Sequence, residues 1–141
     1  MSPRPTLSFR PNVGMSLVTL AVGVLSSLLV AAEALAHGHE IFIKSVPANG
    51  TVVTQSPARV VVWFSTELDT GRSRLQIFDA DKRQVDTGGG GVDLHDPDHA
   101  SLIARLPTLP DGAYTVRWRG AVLADGDIVE GKFTFTVSKK R

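Results

Sequence analysis

The 141-residue chain carries 15 Lys and Arg against 14 Asp and Glu, a formal net charge of +1, and no cysteine. Disulfides, thiolate metal sites and cysteine nucleophiles are therefore excluded. So is the strongly basic balance that marks binders of nucleic acid or anionic membrane.

The chain opens with Arg4 and Arg10, followed by a charge-free apolar run from Val13 to Ala32. Ala34-Leu35-Ala36 then supplies a small-x-small cleavage signal. This order predicts a signal peptide over residues 1–36, hence export and no stable membrane insertion after cleavage. The alternative is an uncleaved anchor, for which the run is near the lower limit of length. Ala32-Glu33-Ala34 is a second candidate cleavage signal, which would make Leu35 the first mature residue. Cleavage after Ala36 leaves one domain, residues 37–141, with 13 charges of each sign once Arg4, Arg10 and Glu33 are removed. Both methionines, Met1 and Met15, go with the leader, so no thioether remains.

Short strands follow, separated by turns. Glu40–Ser45 is the first, with Ile41 and Ile43 on one face, and Pro47-Ala48-Asn49-Gly50 turns the chain. Arg59–Ser65 is β-branched and aromatic, as buried strands are. Arg74–Asp79 alternates, and Ser101–Leu106 is a further strand. In Ala113–Arg119, Tyr114, Val116 and Trp118 share a face; in Gly131–Val137, Phe133, Phe135 and Val137 do. Trp118 is therefore read as core. With no helical period outside the leader, the pattern predicts an all-β fold. It would be an Ig-like Greek-key barrel or sandwich of about seven strands. The glycine-rich stretch Gly88–His99 is expected to be a mobile loop, because four consecutive glycines are entropically costly to order.

The four histidines fall in two pairs, His37/His39 and His95/His99. His37 would be the first mature residue. Its free α-amine and ring Nδ1 form a six-membered chelate for one metal ion, and the ordinary amine gives up its proton readily to a Lewis acid. Cu(II) heads the affinity order for such nitrogen and oxygen donors. His39, third from the amine, permits a second mode. There the amine, two deprotonated amides and an imidazole form a square plane. The acidic loop of Asp93, His95, Asp96, Asp98 and His99 has zinc- or copper-type donors too. A solvated loop is the preferred reading of it, given the glycines upstream.

The start at His37 is followed by the S-V-P-A-N-G turn (Ser45–Gly50) and by VVVWFS with Glu67 beyond it. AYTVRWRGAVLADGD and GKFTFTV complete a pattern that resembles CopC-type copper-resistance proteins along almost the whole of His37–Val137. The resemblance implies a seven-stranded Greek-key barrel carrying Cu(II) in the periplasm. It also implies a metal site made of the N-terminal amine, the first histidine, and an Asp and a His from a D-G-H segment before the last strand. His37 matches that histidine and Asp125 that aspartate, but Asp127 stands where the family has histidine. Either Asp127 serves as a weaker carboxylate donor or His39 supplies the missing nitrogen. The family's methionine-rich Cu(I) site has no counterpart, since the mature chain has no methionine.

The expected function is a monomeric Cu(II) carrier or buffer in copper resistance, not an enzyme, with an inner-membrane copper transporter as its recipient. Two other readings remain open. One is a copper-brace oxidative enzyme built on His37 with a second histidine. The other is an Ig-like structural module that lost high-affinity copper binding when Asp127 replaced histidine.

Overall fold

A computed structural model describes residues 41–140. The leader expected over 1–36, and with it His37 and His39, lies outside the described residues. Among the described residues, eight strands form two four-stranded sheets. The first sheet runs in the order β1 (Phe42–Val46), β3 (Arg59–Phe64), β6 (Ser101–Arg105), β5 (Gly91–Val92). The second runs β2 (Val52–Val53), β8 (Ile128–Val137), β7 (Gly112–Ala121), β4 (Arg74–Phe78). The chain crosses between sheets after β1, β2, β3, β4 and β6, which gives the Greek-key sandwich expected from the sequence.

Alternation decides which side chains enter the space between the sheets. Val60, Val62 and Phe64 project from β3, Leu75 and Ile77 from β4, Leu102 and Ala104 from β6. Tyr114, Val116 and Trp118 project from β7, and Phe133, Phe135 and Val137 from β8. Tyr114 also donates its hydroxyl to the Pro110 carbonyl at 2.7 Å, fixing the corner where β7 begins. Burial is the main cause that raises its pKa.

Trp118 is core, as expected: it is buried, stacked on Phe42 at 5.9 Å and set edge-on to Phe64 at 5.1 Å. Its cross-strand partner is Gly131. A Cβ there would lie 2.3 Å from the indole Cζ2, so only glycine leaves room for the ring.

Two expectations are corrected. Ile41 and Ile43 do not share a face: Ile41 is buried and Ile43 is 57% exposed. The register steps from Phe42↔Phe64 to Lys44↔Trp63, a bulge that leaves Ile43 as the extra residue and reverses the alternation. The stretch Gly88–His99 is not a bare loop either. Gly90 is buried and its carbonyl accepts the Leu75 amide at 3.1 Å, while Gly91–Val92 form β5 against β6. The glycines serve close approach here: a Cβ at Gly90 would sit 2.1 Å from the Leu75 carbonyl oxygen.

Candidate metal centre

Three segments are joined by backbone hydrogen bonds at the end of the sandwich where β3 stops. The Ser65 amide donates to the Ile41 carbonyl at 2.8 Å, which ties the first described residue to the segment after β3. The Leu68 amide donates to the His99 carbonyl at 3.0 Å, and the Leu123 amide donates to the Glu67 carbonyl at 3.0 Å. The β7–β8 turn, with the predicted ligands Asp125 and Asp127, therefore begins next to Glu67. Leu68, fully buried and bridged to Val122, anchors this arrangement in the core.

The turn itself is tight. The Val122 amide donates to the Asp127 carbonyl at 2.8 Å, and Gly126 adopts a positive φ of 77°. Asp125 Oδ1 accepts the Asp127 amide at 3.0 Å. Both aspartates are exposed, so their carboxylates face solvent rather than a pocket. The Arg72 guanidinium reaches this turn, since a Cβ on Gly126 would meet it at 3.4 Å. That cation is already ion-paired to Asp69 at 3.1 Å, and its hydrogen bond is the first cause holding the Asp69 carboxyl below the ordinary range.

The two histidines of the acidic loop part company. His95 is 93% exposed on its side chain, with Nδ1 3.4 Å from Asp93 Oδ1, which suits the solvated reading. His99 is half-buried, with Nδ1 3.8 Å from Glu67 Oε1. Its backbone has a φ of 46°, which few non-glycine residues adopt. Asp96 holds this turn: Oδ2 accepts the Ser101 hydroxyl at 2.6 Å and the Ala100 amide at 3.0 Å. Oδ1 accepts the Asp98 amide at 3.1 Å. The Ser101 hydroxyl is the leading cause that pulls the Asp96 pKa below its ordinary value.

Among the described residues, no three His, Asp or Glu side chains converge into a group that would hold a metal ion. Asp125 and Asp127 share one turn, and Glu67 and His99 form a separate pair. Sequence reasoning missed the Glu67–His99 pair because its members lie 32 positions apart. The signal was available indirectly. If the strand ending at Phe64 pairs antiparallel with the strand starting at Ser101, the residues just past one must meet those just before the other.

Net charge also concealed a local imbalance. On the outer face of the second sheet, Arg74 lies opposite Arg119 and Arg117 opposite Lys132, with Glu130 near Arg119 at 3.8 Å. A shallow concavity of about 500 Å³ lies over this cationic face, and none of the candidate ligands lines it.

The CopC domain family model matches residues 42–138. YobA of Escherichia coli K12 is 30% identical over 118 residues, covering 83% of this chain and 91% of that protein. The copper transport protein CutJ of Bacillus subtilis is 26% identical over 116 residues, and this chain spans 21% of its length. Among solved structures, CopC from Methylosinus trichosporium OB3b superposes with a TM-score of 0.64 at 28% identity, covering 72% of this chain and 95% of that one. PcoC, a methionine-rich copper resistance protein from Escherichia coli, gives 0.57 at 27% identity, covering 70% and 97%. Matched along most of its described length by that family model, and sharing the sandwich of the two crystal structures, the chain belongs to the CopC domain family.

Proposed function

We propose that this protein is a periplasmic Cu(II)-binding carrier or buffer of copper homeostasis, processed after Ala36 and not an enzyme. Copper is its cargo, held by the amine and ring of His37 together with Asp125, and with Asp127 or His39 completing the set. It acts as a monomer that passes the ion to an inner-membrane copper transporter. The named copper proteins among its relatives support the copper reading, CutJ for transport and PcoC for resistance.

The observation that carries the proposal is the meeting of chain segments beside Ser65 and Glu67. Ile41, four positions after His37 in sequence, is bonded to Ser65, and the Asp125–Asp127 turn is bonded to the same segment through Leu123 and Glu67. The donor chemistry fits. Nitrogen and carboxylate oxygen suit Cu(II), whereas Cu(I) prefers sulfur, and the chain beyond Met15 has neither methionine nor cysteine. Exposed carboxylates on a turn also suit an ion that must leave again.

Titration of naturally processed protein with Cu(II) against a competing chelator tests the reading. One tight equivalent is expected, with no comparable uptake of Cu(I). Affinity no better than that of an arbitrary histidine-bearing peptide would contradict it.

The carboxylate at Asp127 favours one second reading, a CopC-like module that no longer binds copper tightly. Asp127→His separates the two. A carrier that already binds gains about tenfold, whereas a lapsed one rises from almost nothing.

A further inference from the structure

We infer that the outer face of the second sheet is a docking surface for an acidic, extended segment of a partner protein. The inference is independent of the copper reading, since none of the candidate ligands lines this face.

The first support is charge placed where the sheet gains nothing from it. β4, β7 and β8 carry two cationic rows across the ladder, Arg74 opposite Arg119 and Arg117 opposite Lys132. Like charges directly opposite each other destabilise a sheet, whereas opposite charges in the same places would stabilise it. Glu130 stands 3.8 Å from Arg119, but their side chains are 65% and 49% exposed, and ion pairs so exposed contribute little. Among the described residues, no carboxylate pairs with Arg74, Arg117 or Lys132. Four cations against one acid thus concentrate positive charge on one face of a chain whose formal total is +1. Such a field steers and holds an oppositely charged partner.

The second support is shape. A hollow of about 500 Å³ lies among these side chains. Two of the cationic groups are held by their surroundings. Arg74 Nη1 donates to the Ser73 carbonyl at 2.7 Å, and the Arg117 guanidinium lies 5.9 Å from the centre of the Phe78 ring. Guanidinium forks suit planar carboxylates, which accept two N–H bonds at once.

The third support is spacing, and it favours a peptide over a lipid surface. The two rows are two residues apart along each strand, about 7 Å. An extended segment presents alternate side chains at that same interval, so acids at every second position meet both rows together. A bilayer surface offers no such interval, and a plane does not enter a hollow.

The test uses the naturally processed protein and a synthetic peptide of alternating Glu and Thr, with binding read from amide shifts in NMR spectra. At low salt the peptide should shift the amides of Arg74, Arg117, Arg119 and Lys132 selectively. Its affinity should fall at least about tenfold on raising salt to physiological strength. The same peptide with Gln in place of Glu should leave those amides unmoved. Lys132→Glu sets opposite charges across the ladder from Arg117. It should weaken peptide binding at least about tenfold while raising Tm by about 2–4 °C, which excludes damage to the sheet as the cause. Shifts scattered over the whole surface, equal binding of the Gln peptide, or unchanged affinity in Lys132→Glu would overturn the inference. Binding to vesicles of phosphatidylglycerol and phosphatidylethanolamine without binding to the peptide would overturn it in favour of a membrane surface. None of these outcomes touches the copper reading.

Discussion

Two aspartate-rich turns meet the same Glu67–Leu68 segment, and they use their carboxylates in opposite ways. In the turn before β6, Asp96 is engaged through both oxygens, with the Ser101 hydroxyl and the Ala100 and Asp98 amides, and so fixes the backbone of His99. In the β7–β8 turn, Asp125 engages one oxygen with the Asp127 amide, and both side chains look into solvent. One turn consumes its carboxylate to hold an imidazole, while the other leaves carboxylates free and has no imidazole. An acidic loop is thus not in itself a metal site; what matters is which acids the backbone has already claimed.

The difference predicts unequal responses to mutation. The largest effect is expected at the glycine that admits the first turn to the sheet. Gly90→Ala drives a Cβ into the Leu75 carbonyl and should cost about 3 kcal/mol, read from the urea midpoint at unchanged slope. Gly126→Ala, at positive φ in the second turn, should cost only about 1–2 kcal/mol. Next, Asp96→Ala should lose about 2 kcal/mol by removing a charged acceptor of three donors. Asp125→Ala should lose about 0.5 kcal/mol, as exposed positions do. Equal losses at Asp96 and Asp125 would erase the contrast.

Acid sharpens it further. The folded Asp96 carboxyl titrates below its unfolded value of about 3.9, so its contribution is complete above that pH. The contribution is lost as pH falls through the lower folded value. Stability should therefore drop below about pH 4, and Asp96→Asn should flatten that part of the acid limb. The smallest expected effect is on metal: Asp125→Asn should weaken Cu(II) binding about threefold to tenfold, with stability almost unchanged.

Much of the fold was legible because its long strands alternate. Tyr114, Val116 and Trp118 on one strand and Phe133, Phe135 and Val137 on another announce their inner faces directly. Their far ends were not legible. β7 continues through Gly120 and Ala121, and β8 starts at Ile128, where small or charged residues break the period. β2 and β5 are two residues each, too short to carry any period, and the bulge at Ile43 inverts a pattern that looked regular.

Of the candidate site, only contacts between residues close in sequence could be anticipated from the chain. The Asp125-Gly126-Asp127 turn could be named from the chain, whereas the half-buried state of His99 depends on Asp96 and on a partner 32 positions away. The cationic outer face was hidden for a related reason: composition sums charges that the sheet register keeps apart.

The most direct test of the central claim is one comparison of Cu(II) affinity. Protein exported and processed naturally, with His37 confirmed as the first residue by intact mass, is set against the same protein with a methionine before His37. Loss of the tight equivalent when the extra residue is present is the predicted result, because the chelate requires the free amine of His37 itself. Equal affinity in the two forms would contradict an N-terminal copper site and with it the carrier built upon it.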